Sequence, residues 1–407
     1  MQSKKILSRR NAFLAGILVF IALSLCACAA APGGGRDIDT AAASDKALTA
    51  VNAETDELYD KYAAYYTASQ YKVLFDDYNG TFGGIGVSMA ANKDGEIVVY
   101  GIIANTPAAD SKIAEGDVIL KVGDTSLAGK DTVEAAALIR GDVDTEVTLE
   151  LRNSAGETYT QKLKRATITE TTVRGSNLKD YPGTAYIQIS GFSSLTASEF
   201  ADKYNELYAE TPIKNLILDL RSNGGGNFFA SISVGEYFVP LNEIVVSEKT
   251  SSGTEDYRSK NGQLSQLKVV ILQNAYTASA SEVLIGAIRD KGNATLIGST
   301  TYGKGVTQAI GQFDSGSGYR YTRSIYYTPG GFSLDGVGIE PDIVVEDPEN
   351  PTYANYFSMD PNVNAHLKAA LQCLFPNDNT EEEIGGGSEE ASGDDKTSED
   401  KTEETAE

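Results

Sequence analysis

Three hydroxyl residues, Thr277, Ser279 and Ser281, fall in "NAYTASASEVLIGAIRD", where an apolar strand-like run gives way to helical spacing. Ser279 and Glu282 form an S-x-x-E capping box ahead of Val283, Leu284, Ala287 and Ile288, which by itself accounts for a serine there. The same turn also suits a nucleophile, which needs a neighbour to take its proton. The chain has a single histidine, His366, in "PNVNAHLKAAL", far in sequence from every glycine-rich strand end. It is read as a surface or core residue, and a lysine is then the alternative base. Lys304 stands between Gly303 and Gly305 in "GSTTYGKGVTQ". Flanking glycines let the backbone bend and approach another loop closely, which a solvated surface lysine does not require. Lys304 is therefore the candidate base. Gln308 can orient its amine only if the chain bends, because four strand steps span roughly 13 Å. A third element is "DLRSNGGG", Asp219 to Gly226, where three glycines after a buried strand can present N–H groups to an anion. Its spacing does not match G-x-x-x-x-G-K-[ST], which disfavours a nucleotide loop.

These residues need elements to position them. Residues 167 to 375 alternate strands and helices through "TAYIQIS", "ASEFADKYNELYAE", "NLILDLR", "ASISVGEYFV", "LKVVILQ", "SEVLIGAIRD" and "ATLIGST". That order predicts an α/β domain, with ligands bound beyond the carboxyl ends of its strands. Between Ile85 and about Ala166, five short strands and one helix, "TVEAAALIR", predict a small β-rich module, barrel or sandwich. Residues 45 to 78 read as helix.

Composition bounds the function. The 407 residues carry a formal charge of −23, and 41% are hydrophobic. Asp378 to Glu407 hold 13 acidic and 2 basic residues, too polar a stretch to bury a core, and are read as a disordered tail. No basic stripe exists to neutralise phosphates, so nucleic acid is excluded as a partner. The N-terminus has Lys4, Lys5, Arg9 and Arg10 before an apolar run from Ala12 to Ala31, the pattern of an export segment or an uncleaved anchor. Within it, "LCAC" resembles a bacterial lipobox that would place lipid on Cys28. "SRRNAFL" faintly resembles a twin-arginine signal. Of three cysteines only Cys373 lies outside that segment, which rules out a disulfide framework in the mature domain. No cluster of cysteine and histidine suggests a metal, and no cofactor is expected.

Taken together, "DLRSNGGG", "TASASE", "GSTTYGKGVTQ" and "YTPGGFSLDGVGIEPDI", in that order, resemble the C-terminal processing peptidases, or tail-specific proteases. The likeness runs from about residue 45 to 345. It implies a serine endopeptidase with Ser279 as nucleophile, Lys304 as general base and Gln308 as its orienting partner. The oxyanion donors would be the N–H groups of Ala280 and Gly225. It also implies that the β-rich module is a PDZ domain, whose Gly84, Ile85, Gly86 and Val87 loop binds the terminal carboxylate of peptides with free, apolar C-termini. Arg140 in "ALIRG" is a candidate gating contact, although a surface role suits it better. Thr277 stands where many members have serine, and Gly224 where many have proline. The implied division is export signal and lipobox 1–28, linker 29–44, helical segment 45–80, PDZ domain 81–166, α/β protease core 167–375 and acidic tail 376–407. The expected location is extracytoplasmic, on the bacterial cell membrane, and self-association is compatible with it. A PDZ lipoprotein on an inactive protease scaffold is the alternative, and a hydrolase of small acyl compounds a second one.

Overall fold

Continuous apolar runs mark the central sheet. In a computed structural model, which describes residues 60–348 and 356–376, six strands lie side by side. Their order is Val173–Asn177, Thr184–Ile189, Asn215–Asp219, Lys268–Gln273, Ala294–Gly298 and Ile343–Val344. The first pair is antiparallel and the others parallel. Leu216, Leu218, Val269 and Ile271 enter one apolar layer, while Ile217, Val270 and Leu272 enter the other. Because both faces are covered, these strands lack the polar alternation of a half-exposed sheet. The first layer is completed by the helices Thr196–Glu210, Phe228–Phe238 and Ala280–Lys291, and the second by Ala365–Leu374. Each fully buried leucine or isoleucine contributes roughly 1.5–3 kcal/mol.

A second, five-stranded sheet packs on the core. Gly318–Tyr327 pairs with Val306–Gln312 on one edge, and with Ala64–Tyr66 and Ile244–Thr250 on the other. Ile244–Thr250 continues into a hairpin with Gly253–Arg258. Val245, Val246 and Tyr326 carry this sheet into the first apolar layer.

The β-rich module has its own core. Strands Val87–Ala91, Ile97–Ile102, Val118–Val122, Glu146–Arg152 and Thr158–Lys164 form one antiparallel sheet beside the helix Thr132–Ile139. In Glu146–Arg152 burial alternates, with Val147, Leu149 and Leu151 inward. Their cluster with Ile85, Ile97 and Val99 is separate from both layers of the central sheet.

One expectation fails locally. Of the stretch read as helix from 45 to 78, the described part, from residue 60, contains the strand Ala64–Tyr66 and then the helix Ala68–Asn79. Thr67 resets the chain: its N–H donates to Gln70 Oε1, and its Oγ1 accepts from the Gln70 N–H. This T-x-x-Q box starts the helix, and Gly80 at φ 77° ends it. Residues 1–59, with the export segment, Cys28 and the linker, lie outside the described residues, as do 377–407 of the acidic tail.

Candidate active site

The three hydroxyls of the opening turn divide their work. Thr277 is buried and donates to the Leu220 carbonyl at 2.9 Å, and Ser281 donates to the Asn223 carbonyl at 3.0 Å. Both stitch the turn to the "DLRSNGGG" strand end. Between them Ser279 takes φ 57° and ψ −116° at the N-cap of Ala280–Lys291. A non-glycine residue there stores roughly 1–3 kcal/mol of strain, held by the stitches on either side. Its N–H donates to Glu282 Oε2 at 2.8 Å. The serine hydroxyl lies toward the Glu282 N–H without making a cap hydrogen bond, and that N–H goes to the Ser279 carbonyl instead.

Lys304 arrives on a loop shaped by its two glycines. A Cβ on Gly303 would lie 2.8 Å from the Gly338 nitrogen, and one on Gly305 2.4 Å from the Asp335 nitrogen. Both therefore allow the loop to lie directly on residues 334–338. The loop is tied to the serine turn through the Tyr302 N–H and the Thr277 carbonyl, 2.9 Å apart.

Two buried groups join the serine and lysine backbones. Glu282, fully buried, accepts at Oε2 from both the Ser279 N–H and the Lys304 N–H, at 2.8 and 2.9 Å. At Oε1 it accepts from Thr301 Oγ1 and the Gly303 N–H. On the other side the Tyr326 hydroxyl lies within hydrogen-bond reach of the Ser279 carbonyl, at 3.1 Å, and of the Lys304 carbonyl. Glu282, expected only to cap a helix, is thus a clamp between the two candidate residues. The S-x-x-E spacing announced the cap. Nothing local announced its partners some twenty residues on.

The electrostatics shift the amine toward its neutral form. Burial pushes Lys304 down to about 8, helped by the positive charges of Arg320 and Lys61 and opposed by Glu282. Its Nζ lies over the Tyr62 ring, 4.9 Å from the centroid. Among the described residues, no hydrogen bond joins Ser279 Oγ to Lys304 Nζ. Gln308 Nε2 is buried without a hydrogen-bond partner. Its segment is a strand, and a β-bulge between Thr307 and Gln308 provides the change of direction that straight spacing lacks.

Gly225 differs from expectation. Its N–H already donates to Asn223 Oδ1 at 2.9 Å, so it is not an open oxyanion donor in this conformation. What it provides is proximity: at φ 101°, a Cβ there would sit 2.8 Å from Ser279 Cβ and 2.9 Å from the Ala280 nitrogen. The Ala280 N–H, at the helix N-terminus, has no partner among the described residues. The strand end behind the glycines is anchored by a buried ion pair, Arg221 to Asp219 at 2.6 Å. The Arg221 guanidinium lies over the Tyr356 ring and reaches Asn364.

In the β-rich module, the Ile85 and Gly86 carbonyls accept from the N–H groups of Ala108 and Ile103. Gly86, at φ 84°, abuts Thr106 so closely that a Cβ would overlap its side chain. Ile85 packs inward and Val87 opens the next strand. Arg140 is not a surface residue. It pairs with Asp77 at 2.6 Å and lies over the Phe82 ring, joining the module's helix to Ala68–Asn79. His366 is buried near Arg221 and Asp347, and burial lowers it to about 4. Cys373 is half-buried beside the second apolar layer.

Comparison with known proteins agrees with this architecture. The family model of peptidase family S41 matches residues 183–345, and that of the PDZ domain matches residues 75–152. A probable CtpA-like serine protease of Staphylococcus aureus is 34% identical over 310 residues, 75% of this chain and 61% of that protein. Residues 183–345 thus resemble peptidase family S41. A probable CtpA-like serine protease of Staphylococcus haemolyticus is 32% identical over 74% of this chain and 60% of its own length. The chain thus spans about 61% of the length of the curated relatives it matches. A putative S41 protease from Bacteroides fragilis shares the fold, with TM-score 0.50 and 14% identity over 85% of this chain and 92% of that one. The S41 match takes in Ser279, Lys304, Gln308 and the glycine run. The PDZ match takes in Gly84 to Val87.

Proposed function

We propose that the chain is an exported serine endopeptidase that engages protein C-termini through its PDZ domain and cleaves through an acyl-enzyme. In this reading the neutral Lys304 amine takes the Ser279 proton as Oγ attacks the scissile carbonyl. The resulting oxyanion is met by the Ala280 N–H and the positive end of its helix. The lysine ammonium then returns the proton to the leaving amine, and the acyl-enzyme forms. A water that gives its proton to Lys304 attacks the acyl carbon, and collapse of the second tetrahedral intermediate returns the proton to Ser279. Gln308 orients the amine once substrate fills the cleft. The observation that carries this reading is the single carboxylate oxygen of Glu282, which accepts from the backbone N–H groups of both Ser279 and Lys304, the lysine side chain being half-buried.

The Gly84 to Val87 loop would hold the substrate's free carboxylate on backbone N–H groups, with an apolar terminal side chain in a neighbouring pocket. Lipid on Cys28, or an uncleaved anchor, would hold the protein on the outer face of a bacterial cell membrane. The test is incubation of wild type and Ser279→Ala with an unfolded protein ending in apolar residues. Wild type is expected to cleave it and the variant to leave it intact; cleavage by the variant would remove Ser279 from the mechanism.

A further inference from the structure

The wall above Lys304 comes from neither matched region. It is the short segment Asp60–Tyr66, upstream of the PDZ match. Its strand pairs with Gly318–Tyr327, Ala64 opposite Arg320. Just before the strand, the Asp60 carboxylate accepts from the Thr322 N–H at 2.6 Å and from Thr322 Oγ1 at 2.7 Å. The Tyr62 carbonyl accepts from Arg320 Nε at 3.1 Å. Thr322 is also the register partner of Gln308 across the other edge. One strand therefore aligns the segment with both Gln308 and the Lys304 loop. The Tyr62 ring lies under two amines, Lys304 Nζ at 4.9 Å and Lys61 Nζ at 4.7 Å from its centroid.

We propose that Asp60–Tyr66 completes the catalytic centre, with Tyr62 as a positioning residue whose ring walls the Lys304 amine. The proposal rests on the serine–lysine reading above. The ring does two things at different moments. Before reaction it keeps water off the amine, which favours the neutral form that can accept a proton. Its π-face also attracts the ammonium that proton transfer creates, a smaller effect that opposes part of the shielding and holds the group in place until it protonates the leaving amine. An apolar aliphatic residue could do only the first.

The test is the pH dependence of kcat and KM for peptide cleavage by the full chain. Activity requires neutral Lys304, so kcat falls as pH drops through its pKa, near 8 in wild type. In Tyr62→Ala the amine is rehydrated and moves toward the ordinary ~10.4, so the acidic limb should rise by about one pH unit. At pH 7 kcat should fall about tenfold per unit of that shift, with little change in KM. Tyr62→Phe, which keeps the ring, should bring the limb back. The other groups facing Lys304 are Arg320 and Lys61, which disfavour its charge, and Glu282, which favours it. Asp335 stands behind Gly305, and Tyr326 behind the Lys304 carbonyl. None is itself substituted; Lys61, which also packs on the Tyr62 ring, loses the hydroxyl in both variants, so Tyr62→Phe isolates the effect of the ring. Asp60→Ala loosens the segment without changing a group that faces the amine, and should move the limb the same way by less. It decides the question if Tyr62→Ala does not fold. A limb that stays in place or moves down overturns the proposal. Ser279→Ala and Lys304→Met, run alongside, separate the two ideas. If they are inactive while the limb is unmoved, only the wall falls; if they still cleave, the serine–lysine reading falls first.

Discussion

Half-buried Lys304 and buried His366 are both basic groups with depressed pKa values, yet their surroundings lead to different outcomes. Burial is the main cause for each, and a nearby arginine the next: Arg320 for the lysine, Arg221 for the histidine. The lysine reaches about 8, close enough to neutrality to exchange protons there, and its backbone shares a carboxylate oxygen with the strained Ser279. The histidine reaches about 4, beside the ion pair that anchors the glycine strand end. It stays neutral and fills space between Tyr356 and Asp347. A perturbed pKa therefore marks burial; only adjacency to a nucleophile turns it into a candidate base.

The largest way to break this contrast is Lys304→Met, which keeps the stem and removes the charge. Cleavage should drop on the order of ten-thousand-fold, as when one member of a catalytic unit is lost. Stability should move the other way. Because the folded pKa, near 8, lies below the unfolded ~10.4, the unfolded chain binds more protons across that window. Wild-type stability thus rises with pH from 8 to ~10.4, and the full penalty applies below 8. Allowing for partial exposure of the amine, Lys304→Met should gain about 2 kcal/mol near pH 7, read by denaturant unfolding.

A smaller effect comes from the glycines. Gly225→Ala must place a Cβ against Ser279 at a φ of 101°, whereas Gly224 has nothing within 4 Å of its Cβ position. Gly225→Ala should cost roughly 1–3 kcal/mol and displace the nucleophile, lowering kcat. Gly224→Ala should stay within roughly 0.5 kcal/mol of wild type. Equal thermal shifts for the two would undo the role given to close approach at Gly225.

Much of this fold was legible because the apolar runs of the central strands and the period-2 pattern of Glu146–Arg152 are local signals. The second sheet was not. Ile244–Thr250 carries Glu248 and Lys249, and Glu248 is buried only through bonds to Thr307, Ser324 and Tyr257. In the site, Ser279 and Lys304 stood out as residue types in unusual settings. The features that unite them did not, because Glu282, Tyr326 and Tyr62 act across sequence distances that no periodicity reveals. Gly225 was expected to donate to an oxyanion, and in this conformation the Asn223 side chain, two residues away, folds back to accept its N–H. The early strand at Ala64–Tyr66 was hidden by the helix-forming composition around it.

The smallest expected effect also provides the most direct test of the central claim, that Lys304 and not a histidine takes the serine proton. It is the pH dependence of kcat for wild type and His366→Gln. Below the ordinary ~6.5 of histidine, the folded group at about 4 binds fewer protons than the unfolded one, so wild-type stability falls as pH drops across that window and the variant's falls less. Activity should not register the change: both proteins should lose kcat along the same limb, near pH 8. A limb in the range of an ordinary histidine that disappears in His366→Gln, with the fold intact, would contradict the account.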